Sequence, residues 1–587
     1  MMREKWRHHL DYVVTLLGFG IGSGSFVKFP YLCMRNGGGA FLIPFILFTF
    51  IGTIPVVFVE MVIGQFSQKG PVEVWNLCPP FKGIGVGTVV GTWIHASYYI
   101  VIFTWFVYYF YVSFSNSLPW AHCDNDWNTP TCISQYADVN TTTGLNVTDN
   151  GTSYTVGNHY ADINGTVAGM TAEEEFWRFQ VLQMTDGLET IGSIRVPLTI
   201  SLAISCTVIF LCVFRGIKVT GKLVYVTVAI PCILVTVFLI RGCLLPGSAD
   251  GIYFYIVPKL ETLTRPKVWI EGCNFALYSL GIAMGSIVTL SSHSRFGNNC
   301  FRDAIVVCIG DMLVTILIGF AFFAIIGHVG YQRGVPIEAF ESSGFNLAFI
   351  VFPQVLTYLP LPQLWSALTF LTLITLELDT LVPPIENIVV AVRDRFPRFS
   401  ERRWLVIGIL LTTYFLFGLI YVTQGGIYVL TLVDWFSYFP SIALFATIEC
   451  IVVGWCYGTH RLEKDIKTMW GKTTPRVMMI AIKFVCPVLL LSVFCYSLYS
   501  YRPPKYGDYD YPPWATGVGW MVSLASILPF PAVFVWKVWN TKGDNLKEKL
   551  TNSMEPSNEW RKENLTEAPH SEALQPITSV ADKHEDV

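Results

Sequence analysis

Runs of about 20 apolar residues, the length that crosses a bilayer core as a helix, recur twelve times along the chain. They fall near 12–33, 40–64, 87–115, 193–214, 221–243, 268–291, 304–328, 363–391, 404–422, 427–454, 477–500 and 515–540. The pattern predicts an all-α polytopic membrane protein of about twelve transmembrane helices. The polar connections alternate in character. Basic residues gather in the N-terminus, at Arg215/Lys218/Lys222, at Arg295/Arg302, in RDRFPRFSERR (393–403) and in HRLEKDIK (460–467), which places those segments in the cytoplasm. The 118–192 loop is acidic and carries glycosylation sequons at Asn140, Asn146, Asn150 and Asn164. Its Cys123 and Cys132 sit beside these sequons, which implies an oxidising, outer face and a disulfide between them. An even number of spans puts both termini inside, so the sequon at Asn564 should be unused. The predicted organisation is a cytoplasmic N-terminus (1–10), a membrane domain (11–540) and a disordered, polar cytoplasmic tail (541–587).

Two of the twelve runs are interrupted. Glycines fall at 18, 20, 22 and 24, each weakening a helix by about 1 kcal/mol relative to alanine, and Pro30 removes a further backbone donor. In hydrocarbon, loosened backbone is tolerated only where it is buried in protein or lines a wet cavity. Carbonyls exposed at such a break can hold a cation, and a half-helix N-terminus can hold a carboxylate. The sixth run repeats the pattern with Ser279-Leu280-Gly281 and Gly285. Interrupted spans five apart suggest a five-plus-five inverted repeat with broken helices one and six, an architecture of secondary transporters. Close helix packing explains any one of these glycines; it explains two clusters poorly.

Composition narrows the class further. Of 587 residues, 52% are hydrophobic and 14% charged, against about 25% charged in soluble proteins. The net charge of -3 says nothing about nucleic acid, and no basic tract suggests it; the expected partners are membrane lipid and a small-molecule substrate, with no nucleic acid. The basic N-terminus lacks a signal-peptide cleavage site, so the first span is retained. Most of the 15 cysteines lie in apolar runs, as Cys206, Cys212 and Cys232 do, and read as packed thiols. Gly216-Ile-Lys-Val-Thr-Gly221-Lys222 nearly spells a phosphate loop, but Leu223 stands where a hydroxyl would hold magnesium. No nucleophile–base pair and no H-E-x-x-H spacing points to an enzyme.

Several segments carry a family likeness: FPYLCMRNGGGAFLIPF (29–45), FVEMVIGQF (58–66), SYYIVIFTW (97–105), LPWAHCDNDWNTPTC (118–132), GIKVTGKLVYVT (216–227), FGNNCFRDA (296–304), GGIYVLTLVDWF (425–436) and IECIVVGWCYG (448–458). Together, in order from about residue 10 to 540, they resemble the neurotransmitter:sodium symporters, solute carrier family six. The resemblance implies sodium-driven uptake of amino acids, osmolytes or monoamines across the plasma membrane by alternating access.

Residue by residue, the resemblance implies a second sodium site at the carbonyls of Gly18, Ile21 and Leu376 with the side chains of Asp379 and Thr380. A hard cation wants such oxygen ligands, and an intramembrane carboxylate is functional by default; the plain alternative for Asp379 is a hydrogen-bonded structural acid. The implied substrate pocket comprises Gly20, Gly22, His95, Tyr99, Tyr278, Ser279, Gly281 and Thr380. Gly22 stands where monoamine carriers have an aspartate, and Tyr99 matches the tyrosine that bonds a substrate carboxylate. His95 matches a pocket wall; facing a ligand it would titrate near neutrality, and otherwise it is a packing residue. The first sodium site is altered, with Gly20, Ser25, Ser279 and Asp311 where relatives use two asparagines. The chloride site is degenerate: Phe45, Phe275, Ser279, Asp311 and Thr315 occupy its positions, and two polar partners have become hydrocarbon. A buried anion without donors is costly, so chloride as a cofactor is doubtful and the Asp311 carboxylate is expected to supply the negative charge, unless it is merely a protonated, hydrogen-bonded acid.

The outer gate reads as Lys28 with Asp434, where relatives pair arginine with aspartate, and Val27 replaces a tryptophan. Lysine keeps the attraction but loses the planar fork. Glu377 replaces a glycine two residues before Asp379, on another helix face; it is either a second polar wall of the pocket or an acid satisfied within the bundle. The expected function is sodium-coupled uptake of a small amino acid or related carboxylated osmolyte, independent of chloride. The rivals are a non-transporting sensor or trafficking partner that kept the fold, and a leak channel.

Overall fold

The computed structural model describes residues 4–133, 147–149, 152–154, 170–334, 336–337, 346–399, 401–438, 441–507, 509–558 and 560. Among them, ten helices are long and apolar enough to cross a bilayer, and the bent pair His9–Gly20 and Gly24–Arg35, meeting at 42°, makes an eleventh. The remaining expected span, 268–291, is a helix Pro266–Ser279 and a second, Ser286–Ser292, with 280–285 between them. Neither half alone reaches bilayer length, because the chain leaves the helix at the glycines.

The elements that build the centre are α1 (His9–Gly20), α2 (Phe29–Arg35), α3 (Ile54–Ser67), α4 (Lys82–Val112), α5 (Ile217–Cys243), α6 (Pro266–Ser279), α7 (Ser286–Ser292), α8 (Cys300–Arg333), α9 (Pro362–Arg395) and α10 (Gly426–Tyr438). A π-helical turn, Gly24–Lys28, leads from the first break into α2. Every residue of α3 is buried, as expected of a helix apolar on all sides at the core of a bundle. α1 packs against α5, α8 and α9, and α9 also packs along α4 and α7. The C-terminal end of α1 is therefore enclosed by the helices that carry Asp311 and Asp379. α9 runs on through Pro383 and Pro384 as one helix.

Cys123 and Cys132 are joined by a disulfide. Asn140, Asn146, Asn150, Asn164 and Asn564 lie outside the described residues. The described part of the tail, 541–558 and 560, is more ordered than its composition suggests. Residues Leu546–Met554 form α11, and Trp560, 4% exposed, lies 5.3 Å from the Phe66 ring and donates its Nε1–H to the Tyr457 hydroxyl at 3.1 Å. With the Ser557 N–H donating to Asn76 O at 2.9 Å, this aromatic anchor holds in place a stretch too polar to collapse by itself. Trp560→Ala, a class of change that costs about 3–5 kcal/mol in a packed site, should release the segment after Thr541. Limited trypsin digestion should then cut at Lys542, Lys547 and Lys549 faster than in the parent, with the membrane domain equally resistant in both.

Candidate functional site

The first break is made by one redirected hydrogen bond. Gly22 N–H donates to Gly20 O at 2.8 Å, in place of the Gly18 carbonyl that a regular helix would use. Ile21 caps α1 in a non-helical conformation, φ −78° and ψ 72°. Gly18 and Gly20 are needed here for close approach. A β-carbon on Gly18 would lie 3.0 Å from Asp379 Oδ2, and one on Gly20 would lie 2.9 Å from Asp311 Oδ1.

Those two oxygens are the notable atoms of the site, since neither has a hydrogen-bond partner among the described residues. Asp379 Oδ1 accepts the Thr227 hydroxyl at 2.6 Å, and Asp311 Oδ2 accepts the Ser279 hydroxyl at 2.7 Å. Each carboxylate is thus oriented by one oxygen and turns the other to the interrupted end of α1. Thr380 Oγ1 donates to Leu376 O at 3.0 Å, and a β-carbon on Gly22 would meet Thr380 Oγ1 at 2.6 Å. Gly18, Ile21, Leu376, Asp379 and Thr380 therefore gather where α1 meets α9. Gly20, Ser25, Ser279 and Asp311 gather where it meets α6 and α8, with the Thr315 hydroxyl donating to Ser25 Oγ at 3.1 Å. Thr227 was not foreseen; a lone threonine in an apolar run gives no signal of the helix it faces.

Gly20, Gly22, His95, Tyr99, Tyr278, Ser279, Gly281 and Thr380 all line one cavity of about 30 Å³, together with Phe19, Gly24, Ser25, Met284 and Pro384. Phe45 and Phe275 lie apart from it in hydrocarbon. Their rings are 5.5 Å from each other and 5.2 and 5.4 Å from Phe29, so the positions that relatives give to chloride donors are filled by packed aromatics.

Above the cavity, Tyr98 donates its hydroxyl proton to Asp434 Oδ1 at 2.7 Å. The 2.8 Å contact between His95 Nδ1 and the Tyr98 oxygen is then donated by Nδ1–H. Lys28 Nζ sits 4.2 Å over the Tyr278 ring, and no ion pair joins it to Asp434 among the described residues. A point-charge ammonium on a flexible stem settles on the nearest aromatic face as readily as on a distant carboxylate.

The second break is held by groups that the sequence reading missed. Ala283 adopts φ +59°, a left-handed conformation that costs a non-glycine residue about 1–2 kcal/mol. Its N–H donates to Glu60 Oε1 at 2.6 Å. Asn387 donates from Nδ2 to Met284 O at 2.9 Å and accepts the Thr289 hydroxyl at 2.7 Å. Glu60 lies in a buried run of α3, where nothing local distinguishes a structural acid from a ligand.

Two interrupted helices at the centre of an apolar bundle, with carboxylate oxygens turned on the breaks and a polar cavity between them, define a membrane carrier of small solutes. The profile of the Sodium:neurotransmitter symporter family matches residues 3–541, and the chain belongs to that family. It is 35% identical over 566 residues to the Xenopus laevis sodium- and chloride-dependent glycine transporter 1, covering 95% of this chain and 88% of that one. It is 36% identical over 555 residues to the Bos taurus sodium- and chloride-dependent creatine transporter 1, covering 92% and 84%. It is 35% identical over 583 residues to the Rattus norvegicus sodium- and chloride-dependent GABA transporter 2, covering 98% and 92%. These relatives are transporters, not enzymes, and family membership brings multi-pass insertion and sodium-coupled transport of a small molecule.

Replacing Glu60 by Leu should leave the Ala283 N–H buried and unpaired, a loss of about 1–3 kcal/mol. Glu60→Gln keeps an acceptor and should lose less. Thermal midpoints of the two purified variants check the order.

Proposed function

We propose that this chain is a plasma-membrane symporter that takes up a small amino acid or related carboxylated osmolyte with sodium and without chloride, with both termini in the cytoplasm. The observation that carries the reading is the pair of partnerless oxygens, Asp379 Oδ2 and Asp311 Oδ1, beside Gly18 and Gly20. A buried carboxylate without a countercharge costs several kcal/mol, and a bound cation is the natural compensation at a break that also offers carbonyls.

On this reading Gly18, Ile21 and Leu376 contribute carbonyls, and Asp379 and Thr380 side-chain oxygens, to one sodium. Gly20, Ser25, Ser279 and Asp311 hold the other. With both in place, the halves of the first span are tied to α8 and α9, which favours the state open to the outside. The substrate enters the cavity between the two breaks. Lys28, Tyr278 and Asp434 close over it, and the inner end then opens. Chloride independence is supported by the Phe29, Phe45 and Phe275 packing and by the fixed charge of Asp311. The glycine, creatine and GABA carriers among its relatives support a small nitrogenous acid as cargo.

Radiolabelled glycine, creatine and γ-aminobutyrate, offered to cells expressing the chain, test this directly. Uptake should vanish when sodium is replaced by N-methylglucamine and persist when chloride is replaced by gluconate; loss of uptake in gluconate would remove the chloride-free reading. Asp379→Asn should abolish sodium-dependent uptake. Asp311→Asn should abolish it in either anion, because phenylalanines at 45 and 275 cannot hold a chloride in compensation.

A further inference from the structure

Away from the cavity, two buried acids meet histidines at the end of the bundle where the chain begins, and both histidines tie down the same short segment. Residues 4–12 are bonded to α7, α8 and the turn after α7. Trp6 donates its N–H to His293 O at 3.1 Å and its Nε1–H to Leu290 O at 3.0 Å. Tyr12 and Ser291 join hydroxyl to hydroxyl at 2.8 Å. His293, itself 2% exposed, returns the contact through Nδ1, 2.7 Å from the Glu4 carbonyl oxygen. His9 Nε2 lies 2.9 and 3.0 Å from the two oxygens of Asp303, a carboxylate buried at the start of α8.

A carbonyl only accepts, so His293 Nδ1 carries a proton. In the neutral ring Nε2 is then an acceptor, and it stands 4.0 Å from Glu386 Oε1, another acceptor. A second proton turns that opposition into an ion pair. Glu386 also takes two hydrogen bonds from Arg403, at the start of the helix Arg403–Tyr421, and Arg393 acts on it as well. These guanidinium groups oppose a further cation, whereas Glu386 and the Glu4 carboxylate, which acts on Arg403, favour it. Glu386 is the one at ion-pair distance from the ring. At His9 the neutral ring already bonds Asp303, and a proton adds the opposite charge; Arg302 beside Asp303 and the Tyr12 ring at 6.5 Å are the other groups there. Both protons strengthen contacts made only while residues 4–12 are docked. Protons therefore favour the docked arrangement, and it weakens as pH rises through the histidine range.

We propose that His9 and His293 are positioning residues of a proton-set clasp: acid locks residues 4–12 and the start of α1 against α7, α8 and α9, and alkali frees them. α1 carries Gly18 and Gly20 at its other end. A docked segment holds α1 in place along α8 and α9, against which it packs. With the termini in the cytoplasm, as proposed above, this is the inner mouth, and an acid cytoplasm slows its opening. The clasp does not depend on which solute or ion occupies the cavity.

Hydrogen–deuterium exchange of the purified full-length protein, without sodium or substrate, tests this at about pH 6 and about pH 8, either side of the ordinary histidine value. Each rate is corrected for the intrinsic pH dependence of amide exchange. In the parent, the corrected exchange of amides 4–12 should be about tenfold faster at the higher pH, the scale on which a charge-assisted bond exceeds a neutral one. Amides of the buried α3 should stay protected at both. His9→Gln and His293→Gln keep a hydrogen-bond donor but not the titration; each should remove part of the pH dependence, and the double variant should exchange fast at both pH values. His9→Lys, a fixed cation at a side chain 38% exposed, should retain protection at the higher pH. Unchanged protection of α3 shows that each variant is folded. Equal corrected exchange at the two pH values in the parent would overturn the clasp, as would a double variant that keeps the parent's pH dependence. Either result leaves sodium-coupled uptake standing.

Discussion

Carboxylates in a low-dielectric bundle with nothing of opposite sign to meet them are the constraint on which this molecule is built. Asp311 and Asp379 are both buried, and each keeps one oxygen without a hydrogen-bond partner among the described residues. Desolvating a carboxylate costs several kcal/mol even after relaxation, and net stabilities of folded domains are of order 5–15 kcal/mol. On the proposed reading, a cation that arrives from outside compensates them in the working state. The same deficit that weakens the empty protein gives a cation a strong preference for whichever conformation brings these oxygens together. That preference is the differential affinity a carrier needs to convert an ion gradient into a conformational bias. Stability and coupling are therefore two readings of one electrostatic imbalance.

The two helix breaks divide the labour. At the second, the protein satisfies its own backbone: Glu60 accepts from Ala283, and Asn387 bridges Met284 and Thr289. A left-handed alanine is held there because the surrounding contacts over-determine it. At the first, Gly22 N–H turns away from Gly18, and the carboxylates that approach offer free oxygens in place of finished hydrogen bonds. One break is closed by the protein itself; on the proposed reading the other is completed by what binds. An element with two arrangements of similar energy is what a rocking mechanism requires, and the asymmetry puts it on the first span.

Much of this was legible in residue order, for a physical reason. Spans declare themselves by length and apolarity, and helix breaks by glycine, because both are consequences of local backbone energetics. Ser279-Leu280-Gly281 and the glycines at 18 to 24 marked the breaks where they occur, and the eight pocket positions carried over by family likeness converge on one cavity. What sequence could not show depends on which helix faces which. The Thr227 bond to Asp379, the Glu60 bond to Ala283 and the seat of Lys28 over Tyr278 join residues 152, 223 and 250 positions apart. The order of residues 541–558 depends on the same kind of distant contact, with Trp560 reaching Tyr457 and Phe66.

The aromatic packing around Phe29 makes the last point. Phe29, Phe41, Phe45 and Phe275 form a continuous set of rings at 5.2 to 6.0 Å, and Ser279, one turn beyond Phe275 on α6, donates its hydroxyl to Asp311. An anion that binds and leaves can be matched to each stage of a cycle. A carboxylate fixed to α8 cannot leave, so its charge must be answered on the return stroke as well as the forward one. On the chloride-free reading, the hydrocarbon at 45 and 275 and the acid at 311 are one change and not three. Removing the donors makes a mobile anion untenable, and the tethered charge then becomes necessary for holding sodium at Gly20 and Ser279.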